Sequence, residues 1–437
     1  MGINVRKITL ELLRSYEEEG RYVNLLLSSP KLKPLTKEER SVVTSLLYTV
    51  VENKLKYDYF ISSFAKKPIN EIDPYVRDVL RLGFCQIKDM EKIPDFAAVN
   101  ETVKLARHTG ERSFINAVLR RAVREKDSLT YTDRKKNTLR YLSVFYSVPY
   151  PTLKLFASIL GETECEELLS AFSVSRGFSV TVNESRISRE DLLEKLSEYG
   201  CESSRYTSNG ISFDISHSPV SLPGFAEGEF FVQDEASRIA AAALDARLGD
   251  TVVDVCSAPG GKSLAAAIRV GEAGEVYSFD LHESKLSLIK DSCERLGLSN
   301  VKVGAKDARD PEASLIGKAD RVICDVPCSG LGVFAKKPDL RYKSLVSIAE
   351  LPSLQYEILC ASAKYVKRGG VLVYSTCTLN PSENEDITDK FISENREFSY
   401  EPFAVGSLDA KNGKITLLPH KHGTDGFYIA KLRKNND

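Results

Sequence analysis

Asp320-Arg-Val-Ile-Cys-Asp-Val-Pro-Cys-Ser-Gly-Leu-Gly332 is the stretch on which the fold turns. Arg321 to Cys324 read as a short strand buried on both faces, as a parallel sheet requires, and Pro327 and Gly330 then break the chain. The break presents Asp325 and Cys328 together. Open α/β sheets bind ligands in the crevice beyond the carboxyl ends of their strands, so a carboxylate and a thiol at that place make a candidate site. Outward from it, Gly369-Gly-Val-Leu-Val-Tyr-Ser-Thr-Cys-Thr-Leu-Asn-Pro-Ser-Glu-Asn-Glu385 carries a second apolar strand, Val371 to Tyr374, followed by another thiol, Cys377. If the two strands are neighbours, both sulfurs face one pocket.

Upstream, Asp250-Thr-Val-Val-Asp-Val-Cys-Ser-Ala-Pro-Gly-Gly-Lys-Ser263 is an apolar strand, a turn of small residues and the start of a helix. Such a turn lets backbone approach a ligand closely, and a helix N-terminus favours a negative group such as a carboxylate. The turn contains no G-x-G-x-x-G and no G-x-x-x-x-G-K-[ST], which disfavours a dinucleotide or a nucleoside triphosphate. Acidic residues stand at the tips of the next two strands: Asp280 after Glu275 to Phe279, and Asp307 after Val301 to Lys306. Singly, each is a strand-end or capping residue. Two in succession at strand tips after a small-residue turn point to cofactor binding in the crevice.

These motifs together resemble the RNA cytosine-5 methyltransferases of the Nol1/Nop2/Sun family: Asp325-Val-Pro-Cys-Ser-Gly330, Ser375-Thr-Cys-Thr378 and the turn Cys256-Ser-Ala-Pro-Gly-Gly-Lys262. The resemblance implies a class I methyltransferase fold that binds S-adenosylmethionine through Cys256, Ser257, Ala258, Pro259, Gly260, Gly261, Lys262, Asp280, Asp307 and Asp325. Asp280 would accept from the ribose hydroxyls and Asp307 would face the adenine. Catalysis would fall to Cys377, Cys328 and Asp325. Cytosine C5 is a poor nucleophile, so a thiolate must first add to C6. By the family's pattern Cys377 attacks, Cys328 assists release of the methylated base, Asp325 contacts the pyrimidine edge, and Lys262 brings positive charge nearby. DNA cytosine-5 methyltransferases attack with the cysteine of a Pro-Cys pair, so the residues alone leave either sulfur open as nucleophile. The target base must leave its stack to reach such a pocket.

The chain has 437 residues, enough for two to four domains, with 42% apolar and 28% charged residues and nine cysteines. No apolar run approaches the roughly 18 residues of a membrane span, and the start lacks a signal-peptide core. The cysteines lack C-x-x-C spacing and fit a reducing, cytoplasmic setting. The net charge of -1 conceals an asymmetry: residues 1–140 hold 27 Lys+Arg against 19 Asp+Glu, and the remainder 33 against 42. A basic module joined to an acidic one suggests that the front end helps to hold a polyanion.

Residues 1–130 show helical periodicity with breaks at Pro30, Pro34, Pro68, Pro74 and Pro94. In Arg112 to Glu125 the set Phe114, Ile115, Val118, Leu119 and Ala122 makes one stripe, leaving Arg112, Arg120 and Arg124 for phosphates. Ile93-Pro-Asp-Phe-Ala-Ala-Val-Asn-Glu-Thr-Val and Phe114-Ile-Asn-Ala-Val-Leu-Arg-Arg resemble the RNA-binding domain of the antitermination factor NusB. Within the family that domain marks the bacterial branch acting on 16S rRNA, at cytosine 967. The expected order is a NusB-like helical domain (1–130), a helical connector (131–172), a small α/β RNA-recognition-like subdomain (173–227) and the catalytic domain (228–437). In the subdomain we expect a strand at Phe178 to Val182, a helix at Arg189 to Tyr199, and short strands around Arg205 and Ile211 to Ile215. Thr181 stands where the family commonly has Arg, a departure from the family's pattern at a position read as an RNA contact. Asp234 is expected to cap the first catalytic helix. Lys336-Lys-Pro-Asp-Leu-Arg-Tyr342 is basic and is expected to contact RNA, and His420 and His422 lack the neighbours of a metal site.

The expected protein is a monomer that takes free or partly assembled 16S rRNA, with no metal and no membrane. Two other functions share parts of the pattern. A tRNA cytosine-5 methyltransferase would carry the same catalytic residues, and a non-catalytic ribosome assembly factor would carry the same front domain.

Overall fold

Proline and capping residues set the helices of the first third. A computed structural model describes residues 4–126, 130–174, 177–214 and 218–436 and divides into two units, Met1–Ser173 with Lys336–Lys343, and Val174–Ala335 with Ser344–Asp437. In the first unit Asn4 caps Val5–Glu19, and Thr36 with Glu39 forms a capping box on Lys37–Glu52. Asp73 caps Pro74–Asp89, whose first residue is the proline read as a break. Helix Thr109–Arg124 buries Ile115, Val118, Leu119 and Ala122 and leaves Arg112, Arg120 and Arg124 exposed. Burial of each of the isoleucine, valine and leucine side chains contributes about 1.5–3 kcal/mol. The connector folds as three helices, Thr138–Phe145, Tyr150–Leu160 and Glu162–Ser173, and belongs to this same unit.

Lys336–Lys343 belongs to it as well, and it buries the arginine of the segment expected to face RNA while Lys337 stays exposed. Arg341 is 2% exposed and donates to the main-chain oxygens of Glu52 and Tyr146, and to Glu52 Oε1 at 3.0 Å. Glu52 and Tyr146 end the helices Lys37–Glu52 and Thr138–Phe145, so the guanidinium meets the unpaired carbonyls and negative dipole ends of both. Tyr342 bonds Ser147 Oγ at 2.9 Å, and Lys54 Nζ lies 4.4 Å from the centre of its ring. The segment's basic charge suggested contact with RNA. The long apolar stem and planar head of arginine suit a buried seat where acceptors converge.

The second unit starts with an antiparallel sheet of β1 (Ser179–Val182), β2 (Cys201–Ser203), β3 (Gly210–Phe213) and β4 (Phe230–Val232), in the order β2-β3-β1-β4. Helix Arg189–Lys195 places Leu192 in a core with Val180, Val182, Ile211 and Phe230. The strand expected around Arg205 ends at Ser203, and Ile215 lies outside the described residues. Thr181 is buried, its hydroxyl donating to Gln233 Oε1 at 2.6 Å.

The main sheet follows: β5 (Thr251–Asp254), β6 (Glu275–Asp280), β7 (Val301–Ala305), β8 (Ala319–Asp325) and β9 (Val366–Thr376). After the peripheral β10 (Phe398–Tyr400), the hairpin of β11 (Phe403–Val405) and β12 (Leu408–Ala410) forms a separate small sheet. Then β13 (Lys414–Leu417) and β14 (Phe427–Lys434) complete the main one, ordered β10-β14-β9-β8-β5-β6-β7 with β13 beside β14. Strands β5 to β9 are parallel neighbours, whereas β14 runs antiparallel to β9. The chain lays β6 and β7 on one side of β5 and then crosses to lay β8 and β9 on the other. That reversal opens a crevice at the carboxyl ends of β5 and β8, where sequence placed the small-residue turn and Asp325. Among the described residues no helix is long and apolar enough to cross a membrane.

Candidate active site

Strands β8 and β9 are paired in parallel with Asp325 opposite Ser375, so the segments that leave them emerge side by side. Cys328 follows β8 after Pro327, Cys377 follows β9 directly, and their sulfurs are 3.1 Å apart. Both residues are half-buried. Gly332 N–H donates to the Cys377 carbonyl oxygen at 3.0 Å, and Gly426 N–H donates to the Gly332 oxygen at 2.8 Å. A Cβ on Gly332 would lie 2.0 Å from Gly426 O and 2.9 Å from Cys377 O, so the two turns touch only because that position is glycine. The Cys328 thiol is held well above the usual range, first by its contact with the Cys377 sulfur, then by burial, and then by the Cys377 and Glu383 charges.

Asp325 closes the crevice on the other side. Its Oδ2 accepts from Lys262 Nζ at 2.6 Å and its Oδ1 from Ser375 Oγ at 2.6 Å. The Lys262 side chain is 9% exposed and lies 5.4 Å from the centre of the Phe427 ring. One cation is therefore aimed at one carboxylate, and sequence had marked both residues. It had not marked Ser375 as a partner.

The turn from Cys256 to Lys262 leads into helix Gly261–Val270, with Gly260 at its N-cap at φ 110. That left-handed value admits glycine without strain, and a Cβ would press on Ile289. Asp280 Oδ2 accepts Ala258 N–H at 3.1 Å and Asp280 Oδ1 accepts His282 N–H at 3.0 Å, which ties the tip of β6 to the turn. Asp307 lies two residues beyond Ala305, the register partner of Asp280. Its carboxyl is pulled down to about 2, chiefly by hydrogen bonds from the Arg309 side chain and main chain. Beneath the turn Asp254 is fully buried, and burial pushes its carboxyl up to about 7 against the bond from Ser263 Oγ at 2.6 Å. Ser257 Oγ and Asp254 Oδ1 are buried without a hydrogen-bond partner. An orphaned hydroxyl in a glycine-lined turn, below an acid that can accept from a diol, fits S-adenosylmethionine. Burial first, then nearby thiols and carboxylates, hold the Cys256 thiol well above the usual range.

Sequence reasoning missed the groups that fasten the two cysteine turns. Glu383 is fully buried and accepts Ser329 N–H at 2.8 Å, Ser329 Oγ–H at 2.6 Å, Gln355 Nε2 at 3.0 Å and Asn380 Nδ2 at 3.0 Å. Ser329 Oγ and Thr378 Oγ1 are 2.7 Å apart, and Gln355 also donates to Pro327 O at 2.9 Å. Glu383 lies in a Pro-Ser-Glu-Asn-Glu run whose composition reads as a solvated loop, and no periodic pattern could have marked it as interior. Among the described residues no three His, Cys, Asp or Glu side chains are grouped as a metal site. His422 is engaged by the Leu418 backbone, which donates to its Nδ1 at 2.8 Å. Asp234 takes the N-cap position of Glu235–Ala243.

Known proteins share the whole layout. The family model "16S rRNA methyltransferase RsmB/F" matches residues 241–433, and that of the NusB family matches residues 3–124. A curated relative from Bacillus subtilis, named a probable ribosomal RNA small subunit methyltransferase B, is 36% identical, and the match covers 99% of each chain. The ribosomal RNA small subunit methyltransferase B of Klebsiella pneumoniae is 30% identical over 100% of this chain and 99% of its own. Among solved structures, PH0851 aligns with a TM-score of 0.80 at 27% identity, covering 99% of this chain and 100% of its own. NSun6 from Pyrococcus horikoshii, solved with SFG, aligns with a TM-score of 0.60 at 25% identity over 66% of this chain and 99% of its own.

Proposed function

Because the chain belongs to the RsmB/F family of 16S rRNA methyltransferases, we propose that it methylates C5 of one cytosine in small-subunit rRNA, cytosine 967 by the family's pattern. It is an S-adenosylmethionine-dependent rRNA methyltransferase. The observation that carries the C5 chemistry is the pair of sulfurs 3.1 Å apart at the ends of two adjacent parallel strands. Methylation of an exocyclic amine or a ribose hydroxyl has no use for two such thiols, whereas C5 needs a nucleophile at C6 and a means of letting it go.

Cys377 attacks. As its thiolate bonds to C6, the C5=C6 electron pair moves toward C5, which becomes nucleophilic. Bound S-adenosylmethionine supplies the methyl group, held by Cys256 to Lys262, Asp280 and Asp307. C5 then gives its proton to water, the double bond re-forms and the sulfur leaves as thiolate. Cys328, against the Cys377 sulfur, assists that release. Asp325, oriented by Lys262 and Ser375, holds the pyrimidine edge. The exposed Arg112, Arg120 and Arg124 supply phosphate contacts in a NusB-like helical domain. The enzyme works as a cytoplasmic monomer on free or partly assembled 16S rRNA and needs no metal.

Bisulfite sequencing of 16S rRNA and tRNA from cells lacking this protein tests the substrate. Loss of one 16S rRNA signal is expected. An intact rRNA pattern with one lost tRNA signal would instead assign the enzyme to tRNA.

A further inference from the structure

Glu383 is a fully buried carboxylate whose four close partners are all neutral donors. Two of them, the N–H and hydroxyl of Ser329, adjoin Cys328. Thr378, next to Cys377, meets the same serine hydroxyl at 2.7 Å. Gln355 bridges from helix Leu351–Ala363 to Glu383 and to the carbonyl of Pro327, on the other side of Cys328. Glu383 itself is anchored through its main-chain oxygen, which accepts from Tyr374 OH at 2.6 Å. The next residue, Asn384, grips the β9 turn from behind, donating to Thr378 O at 3.0 Å and accepting from Thr376 Oγ1 at 2.5 Å. A buried carboxylate is costly unless its acceptors are filled, and here both oxygens are filled, by donors from the two turns that carry the sulfurs and by Gln355 from the neighbouring helix.

We propose that Glu383 is a positioning residue for the two-sulfur chemistry, fastening the turn of Cys328 to the turn of Cys377 so that the sulfurs stay face to face while the base is attacked and released. The inference rests on the nucleophile-and-release scheme above and adds to it the group that keeps the two thiols in register. Glutamate suits the place because an acceptor-only group faces donors on both sides. Glutamine would bring an N–H pair against donors, and aspartate is too short by one methylene to reach both turns. Glu383 is enclosed by Ser329, Gln355 and Asn380, so its loss acts through the turns that carry the sulfurs.

The test uses the full-length protein as Glu383→Gln and Glu383→Asp, with two readouts. The first is the rate at which diamide closes the Cys328–Cys377 disulfide, followed by peptide mass spectrometry. Two thiols give one S–S bond, and their two hydrogens reduce diamide to the hydrazine. The second is turnover of an unmodified 16S rRNA transcript with S-adenosylmethionine, with covalent protein–RNA adduct read on denaturing gels. Glu383→Gln is expected to slow disulfide closure and kcat each by about tenfold or more, with a smaller change in KM and with adduct accumulating. Glu383→Asp is expected to fall between the two. If Glu383→Gln does not fold, Ser329→Ala, which deletes only the hydroxyl shared with Glu383 and Thr378, carries the same two readouts and the same expected direction. Wild-type closure and wild-type turnover in a folded variant would overturn the inference. Closure requires neither RNA nor methyl donor, and following it across pH separates thiol ionisation from sulfur placement, so slowed closure in Glu383→Gln at every pH alongside a fully active Cys377→Ala would sink the catalytic scheme and leave the positioning role standing. Unchanged closure alongside an inert Cys377→Ala would do the reverse.

Discussion

Asp254 shows what one buried acid costs when it lies under a cofactor turn. Its carboxyl is pushed up to about 7, chiefly by burial. A carboxyl whose folded value lies above its unfolded one contributes stability at pH below the unfolded value, and that contribution is lost as pH rises through the folded value. Stability of the ligand-free protein should therefore fall between about pH 4 and 7, by up to about 1.4 kcal/mol per pH unit from this group. Asp254→Asn, which can still accept from Ser263, should flatten that slope in denaturant titrations at pH 5 and 7. An unchanged slope would mean that the acid is not the titrating group. Residues of this kind divide by what makes them legible. Cys328, Cys377, Asp325 and the turn from Cys256 to Lys262 are visible because apolar strands run into Pro and Gly punctuation beside them. Glu383, Ser375 and Gln355 are not, because an interior polar residue is defined by the partners that tertiary packing brings to it, and those lie far along the chain.

At the scale of elements, the strands were legible for the same reason that the sheet is stable. Val322-Ile-Cys324 and Val371-Leu-Val-Tyr374 are uninterrupted apolar runs, and parallel strands covered on both faces need such runs. Sheet order was not legible, since nothing local says that β8 lies beside β5. The turns after β8 and β9 are joined through Gly332, where any side chain would strike the Gly426 carbonyl oxygen. Gly332→Ala should destabilise the second unit by about 2 kcal/mol or more and lower methylation, as measured by denaturation midpoint and by turnover. Wild-type values for both would show that the close approach is dispensable. Lys336–Tyr342 marks the limit of charge as a guide, because its arginine found two helix C-termini and not a phosphate.

For the molecule as a whole, helical periodicity and charge asymmetry set a basic front apart from an acidic remainder. The inclusion of Lys336–Lys343 in the first unit could not be foreseen, since sequence is read in linear order and this unit is discontinuous. If the front holds RNA through phosphates, replacing Arg112, Arg120 and Arg124 together by Ala should weaken 16S rRNA binding. The slope of log affinity against log salt should then become shallower by about 2, at roughly 0.7–0.9 per phosphate contact. A slope equal to that of the wild type would make this helix face a bystander. The central claim is that the sulfur of Cys377 bonds transiently to the base and Cys328 helps to free it. Its most direct measurement incubates Cys328→Ala and Cys377→Ala with 16S rRNA transcript and S-adenosylmethionine and runs both on denaturing gels. A retarded protein–RNA band is expected for Cys328→Ala and none for Cys377→Ala, and a band in the second but not in the first would contradict the account.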